Sequence, residues 1–266
     1  MRPHMVDSPD TIAEGFRQIL LENLIPFWFP KSVDEQHGGF YSSLDQTGAL
    51  IDTDKSVWAQ GRMSWALVKM FQTLEPRQEW LEWASSGVDF LESKCVDQDG
   101  RLFFHVTEDG RPIRKRRYAF SESFAAIAHA SLFACTGKEL HQRRALDLFR
   151  QFTRWSFEPG LADPKFCETR AMLGMGPRMI TIVTARELLN DLEKSLSAEE
   201  RGELNAWILQ CVDEIERWFV KPDLEVVMET VGANGEILDH FDGRLLNPGH
   251  AIEGAWFIMW EAGIVT

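Results

Sequence analysis

The sequence predicts an all-α fold in which antiparallel helix pairs are separated by short β-hairpins. Eight stretches repeat apolar residues at helical spacing, and three short apolar runs broken by Gly48, Gly110 or Gly235 read as hairpins. Nowhere do strands and helices alternate as a parallel sheet would need. Helix pairs of this kind curl into a solenoid or close into a toroid. With no Pro/Gly/Ser-rich linker, the 266 residues read as one domain.

Taken in order, Ser8-Pro9-Asp10 supplies an N-cap with proline at the first helical position. Ile12, Phe16, Ile19, Leu20 and Leu24 follow at helical spacing, so the first helix is expected to run to about Trp28. The hairpin GGFYSSLDQTGAL (38–50) comes next, then helices over 57–74 and 78–95, and a second hairpin, RLFFHVTEDGRPI (101–113). Further helices are expected over 121–135, 138–155, 177–192 and 197–219. A third hairpin, LEVVMETVGANGEIL (224–238), precedes a last helix from Pro248 to about Ala262. Hairpins recurring between helix pairs make a weak internal repeat. Residues 158–175 are the one long irregular stretch, a length associated with functional or mobile loops.

Composition narrows the function classes. Ten Trp and eighteen Phe against two Tyr imply a ring-rich interior or a ring-lined cleft. A net charge of −13 argues against nucleic acid and anionic membranes as partners, because both need clustered cations. The one basic run, Arg114-Lys115-Arg116-Arg117, follows a turn and reads as a solvated loop, although an anionic sugar could use one of its arginines. Cys95, Cys135, Cys167 and Cys211 are widely spaced, with no CxxC pair and no secretory leader ahead of them, so reduced thiols in a cytoplasmic protein are expected. Apolar runs stay short of the roughly twenty residues that span a bilayer. No glycine loop suited to cradling phosphate is present, and no cofactor is expected.

Three stretches can carry chemistry. In LLNPGHAIEGAW (245–256), Asn247 caps a helix that starts at Pro248, which puts His250 in the first turn. The positive end of the helix dipole works against an imidazolium there, and a neutral ring can accept a proton. Glu253 shares the histidine's face and could orient the ring; Trp256 continues the stripe. The plainer reading is a capping or core histidine with Trp256 and Trp260 on the buried face. His-x-x-Glu offers two metal ligands and nothing completes a shell, so no metal is expected. In DTDKSVWAQGRMSW (52–65), Trp58, Arg62 and Trp65 share a helix face; indoles with a forked donor between them suit a sugar, and equally a core stripe with a structural arginine. In RYAFSESF (117–124), Glu122 lies in a first helical turn, where capping alone would account for it.

Together, GGFYSSLD, DTDKSVWAQGR, RRYAFSESF and NPGHAIEGAWF resemble, in order and rough spacing, the N-acylglucosamine 2-epimerase family, which includes cellobiose 2-epimerases and mannose and sulfoquinovose isomerases. The resemblance covers almost the whole chain. It implies an (α/α)6 barrel with a sugar at one mouth, and abstraction of a C2 proton from the open-chain aldose through an enediolate. Reprotonation at C2 gives the epimer and at C1 the ketose. It further implies that His250 is an acid/base, with Glu253 beside it, Arg62 aimed at the sugar oxygens that become anionic, and Trp58, Trp256 and Glu122 as substrate contacts. Such a protein would act on a small sugar and could form a homodimer. Family members continue beyond the position of Thr266 into a part that carries a second acid/base histidine and the closing helices, so the chain is expected to lack the family's C-terminal third. His4, His37, His105, His129, His141 and His240 have no comparable context. One base alone would leave the aldose–ketose shift. Two other readings stay open: a non-catalytic carbohydrate- or protein-binding relic of the same fold, and a glycoside hydrolase or lyase using Glu122 and Glu253 across a cleft.

Overall fold

The structure, a computed structural model, describes residues 8–115, 118–161 and 168–263. Its contacts group the chain into two units, Met1–Lys115 and Arg116–Thr266. Arg116 and Arg117 of the basic run, Cys167, His4 and the centre of the irregular stretch lie outside the described residues.

In the first unit Ser8 caps α1 (Pro9–Ile19) by accepting the Thr11 amide. The helix does not continue regularly to Trp28. It widens into a π-helical turn, Leu20–Leu24, before α2 (Ile25–Trp28). Pro26 has no N–H to donate to the preceding turn, and a wider turn carries the chain past the missing bond. The first hairpin forms as expected: β1 (Ser43–Leu44) pairs antiparallel with β2 (Leu50–Asp52), and Gly48 takes the left-handed conformation, φ 83°, that the tight turn requires. β3 (Lys55–Ser56) leads into α3 (Val57–Thr73), which packs on α4 (Gln78–Lys94). β4 (His105–Val106) and β5 (Pro112–Arg114) make the second hairpin, and β3 adds to it as a third strand. Val57, Leu67 and Val68 of α3 and Trp80, Ala84, Val88 and Leu91 of α4 are all buried in the core, with Phe40 fully buried.

A buried charge pair ties this unit together. The Lys55 ammonium is fully buried and donates to Asp34 Oδ2 (2.7 Å), the Gly38 carbonyl (2.7 Å) and the Glu108 carbonyl (3.0 Å). It also lies 4.2 Å from the Phe90 ring centroid. Burial alone would raise the Asp34 carboxyl, but hydrogen bonds from Lys55 and from the His37 and Gln36 amides hold it below its ordinary value. Burial pulls Lys55 down against the opposing pull of Asp34. Gln60 works beside this pair: its amide accepts from Phe40 N and donates to Phe40 O, both at 2.7 Å. Lys55 and Gln60, inside the stretch that reads as a site motif, thus hold the loop of residues 34–40.

In the second unit α5 (Phe120–Thr136) pairs with α6 (Glu139–Phe157), and α7 (Gly176–Asp191) pairs with α8 (Ala198–Glu214). α5 also packs on α7, and both helices are buried on most sides, which is why neither shows a strong amphipathic stripe. Small residues such as Ser121, Ala125, Ala128 and Ser131 allow the close approach. A capping box of Ser197 and Glu200 starts α8, which ends in a π-helical turn, Ile215–Phe219. His129 of α5 and His141 of α6 meet Nδ1 to Nδ1 at 3.0 Å.

The third predicted hairpin does not form. Gly235 makes its turn (φ 81°), but β8 (Val226–Val227) pairs with β7 (Val220–Lys221), and β9 (Thr230–Val231) pairs with β6 (Leu173–Gly174). β8 takes a partner five to seven residues before it, and β9 one more than fifty residues before it, in place of the local return strand, a choice alternation does not encode. α9 (Pro248–Glu261) closes the described chain. It packs on α7 at Gly254, whose added Cβ would lie 3.3 Å from Met179 Cγ, and through an ion pair between Arg186 and Glu261. Cys95 and Cys211 are free and buried, and burial pushes both thiols up to about 12. Among the described residues no helix is long and apolar enough to cross a membrane.

Candidate active site

The histidine of NPGH sits where its sequence context places it. Asn247 Oδ1 caps α9 by accepting the His250 amide at 3.2 Å, Pro248 occupies the first turn, and the imidazole projects from the positive end of the helix with 42% of its side chain exposed. Its partner comes from elsewhere in the unit. Glu229, between β8 and β9, presents both carboxylate oxygens to His250 Nδ1, Oε2 at 2.9 Å and Oε1 at 3.1 Å. A carboxylate only accepts, so Nδ1 carries the proton. In the neutral ring the lone pair is then on Nε2, and a proton taken up there leaves an imidazolium paired with a carboxylate.

The backbone of Glu229 is itself fixed. Its carbonyl accepts from Met175 N at 3.0 Å, and the next two residues are paired with Gly174 and Leu173. Thr230 Oγ1 donates to the Asp242 carbonyl at 3.1 Å. Side chain and main chain of the carboxylate are therefore both constrained, although only 21% of the side chain is exposed.

The carboxylate that meets the His250 ring is therefore that of Glu229, where Glu253 was expected beside it. Glu253 lies one turn further along α9 and is exposed. Nothing within i±4 of His250 points to Glu229, which is 21 residues away; the only local sign is an acidic residue interrupting an apolar run at METV. Trp256 is 48% exposed and stacks on Trp260 with centroids 5.9 Å apart and planes 13° from parallel. The buried face of α9 consists of Gly254 and Phe257, so the two indoles are not the core stripe. Glu122 is fully buried in the first turn of α5, and a sugar contact from it would need that burial relieved.

In the first unit, Trp58, Arg62 and Trp65 share a side of α3 distinct from its buried stripe of Val57, Gln60, Gly61, Ser64, Leu67 and Val68. Trp58 is half-buried and meets Phe104 edge to face at 5.1 Å; Arg62 is exposed. The reading of these residues as a core stripe does not hold.

A family model described as N-acylglucosamine 2-epimerase (GlcNAc 2-epimerase) matches residues 39–263. The N-acylglucosamine 2-epimerase of Rattus norvegicus is 34% identical over 248 residues, covering 91% of this chain and 58% of the rat protein. The Homo sapiens protein of that name is 31% identical over 245 residues, covering 90% and 56%. Cellobiose 2-epimerase of Eubacterium cellulosolvens is 25% identical over 276 residues, covering 92% and 65%. The chain spans less than two thirds of the length of each of these relatives. Among solved structures, cellobiose 2-epimerase from Bacillus thermoamylovorans B4167 matches with a TM-score of 0.78 at 20% identity, over 96% of this chain and 68% of that one. A D-mannose isomerase matches with a TM-score of 0.74 at 14% identity, over 96% and 66%. At these identities the likeness carries the fold alone, which is the all-α, (α/α)6 class expected from the sequence. By the match over residues 39–263, the chain belongs to the N-acylglucosamine 2-epimerase family.

Proposed function

We propose that this chain serves a carbohydrate 2-epimerase or aldose–ketose isomerase, with His250 as the base that takes the C2 proton of an open-chain aldose. The observation that carries the reading is the carboxylate of Glu229 on His250 Nδ1, which supports Nε2 as a proton acceptor on an accessible ring. Proton loss from C2 moves its electron pair into the C1–C2 bond and the carbonyl electrons onto O1, giving an enediolate. Return of the proton to C1 from the same base, with the O2 hydroxyl proton passing to O1 as C2=O forms, yields the 2-ketose. Return to C2 from the opposite face yields the epimer and needs a second donor. The aldehyde oxygen becomes anionic on the way, a charge that a guanidinium or other fixed donor must stabilise. In this proposal Arg62 keeps that role, and Trp58 and Trp256 remain sugar contacts on the chemistry of their side chains. The relatives named above are epimerases, which supports an isomerase over a hydrolase or a binding relic. The reading further takes the 266 residues as a single domain of a cytoplasmic protein that acts on a small sugar.

Exchange of the C2 hydrogen with deuterated water, followed by proton NMR on N-acetylmannosamine, mannose and cellobiose, tests it. Exchange with at least one sugar is expected, and product analysis separates ketose from epimer. Absence of exchange with all three removes the chemistry for those sugars. Exchange undiminished in His250→Asn removes the assignment of the base.

A further inference from the structure

The stretch GPRMITIV, at the start of α7, has no part in the site as described, yet one of its residues holds the scaffold of that site. Arg178 stands in the first turn of α7, where the helix dipole disfavours a cation. It is nevertheless only 8% exposed. Its position is accounted for by what it binds. Nε donates to Glu214 Oε2 of α8 at 2.7 Å, and Nη1 reaches back to the Gly174 carbonyl at 3.0 Å. The rings of Phe157, Trp218 and Phe219 surround the guanidinium with centroids 5.5 to 5.7 Å from Cζ. The planar fork is used in two directions at once, toward a carboxylate and toward a main-chain carbonyl, which an ammonium on a flexible stem cannot reproduce.

Gly174 is the residue that matters. It is the β6 partner of Thr230, and the amide of the next residue, Met175, is the donor to the Glu229 carbonyl. The strand pair is only two residues long on each side, so it has little hydrogen bonding of its own with which to hold register. A continuous series of contacts therefore runs from Glu214 through Arg178 to Gly174, across β6 and β9 to Glu229, and from its carboxylate to His250 Nδ1. Every link lies within the second unit.

We propose that Arg178 is a positioning residue for His250: by anchoring the Gly174 carbonyl it keeps the β6–β9 register that aims Glu229 at Nδ1. The inference rests on His250 being the base only for its catalytic consequence; the structural consequence can be read without any sugar. In Arg178→Lys the charge is kept and the simultaneous reach to Glu214 and Gly174 is lost. Nitrogen-15 NMR of the histidine side chains, with the His250 signals identified by their absence in His250→Asn, is expected to show one dominant Nδ1–H tautomer in the unaltered chain. Arg178→Lys is expected to show a mixture of tautomers. Where exchange of a sugar C2 proton is measurable, kcat should fall on the order of 10-fold to 100-fold with KM changed less than about twofold, the pattern of a displaced catalytic group. Glu214→Gln, which loosens the guanidinium from one side only, should shift the tautomer in the same direction by less, and serves if Arg178→Lys does not fold. An unchanged His250 tautomer in a folded Arg178→Lys chain, or in Glu214→Gln where that alone folds, overturns the proposal. A tautomer that responds in a chain showing no sugar exchange upholds the positioning while the base assignment fails.

Discussion

Removing both partners of the buried Lys55–Asp34 pair should cost far less than the two single removals added together. In Asp34→Asn the Lys55 ammonium would keep two carbonyl acceptors and the Phe90 and Tyr41 rings but lose the carboxylate paired with it, at a site with no solvent access. In Lys55→Met the carboxylate would keep the Gln36 and His37 amides, at 2.9 and 3.0 Å, the Tyr41 hydroxyl and the His37 ring at 3.4 Å but lose its buried cation, and the carbonyls of Gly38 and Glu108 would lose their donor. Breaking a buried pair by removing one member costs about 3–5 kcal/mol, so the two single losses should sum to about 8 kcal/mol. The double variant leaves no unpaired charge. What remains is the pair of orphaned carbonyls, each costing about 1–3 kcal/mol, or about 4 kcal/mol together. The coupling energy in a double-mutant cycle should therefore be about 4 kcal/mol. Urea unfolding at pH 7, followed by circular dichroism, measures all four chains. Single-variant losses that add to the double-variant loss within about 0.5 kcal/mol would refute the reasoning, because the pair would then be two independent side chains and not one buried unit.

Three further outcomes follow from other features. Asp34 is held below its ordinary value of 3.8, so its contribution to stability is present above that value and lost as pH falls below it; the stability gap between the unaltered chain and the Asp34→Asn/Lys55→Met double variant should narrow in acid unfolding curves from about pH 4 downward, and a constant gap would contradict this. Gly39→Ala should destabilise by about 2–4 kcal/mol, since φ is +73° and the new methyl would strike Gln60 Oε1 and approach Phe90 Cβ at 3.1 Å; Gly38→Ala, with φ +83° but only Ser86 Oγ at 3.4 Å, should cost about 1 kcal/mol, and equal midpoints in thermal melts would show that the collision is not felt. Glu229→Gln can donate as well as accept, so the Nδ1–H tautomer is no longer enforced; C2 proton exchange should fall by on the order of 100-fold or more, and a rate within twofold of the unaltered chain would show that Glu229 does not orient the base.

Most of the fold is legible along the chain because helices announce themselves over four residues. Ser8-Pro9, Ser197 with Glu200, and Asn247-Pro248 start helices where local spacing says they should. The first two hairpins are equally local, each closed by a glycine with positive φ. The first helix was harder to read through its middle: apolar spacing carries on across Leu20–Leu24, and only Pro26 signals that the hydrogen bonding must change there.

The site was legible in part, and the dividing line is the range of the interaction. His250 is placed by its own cap and helix start, all within three residues. Glu229 reaches it from 21 residues away, β9 pairs with β6 across more than fifty, and Lys55 meets Asp34 and Glu108 from 21 and 53 residues off. Sequence spacing decided which residues share a turn, because helical and extended geometry repeat every few residues whatever surrounds them. Which carboxylate faces the imidazole, and which lysine is buried against which aspartate, was decided only when packed helices and short strands brought distant segments to one place, since a buried polar group takes whichever partner the packed core leaves within reach.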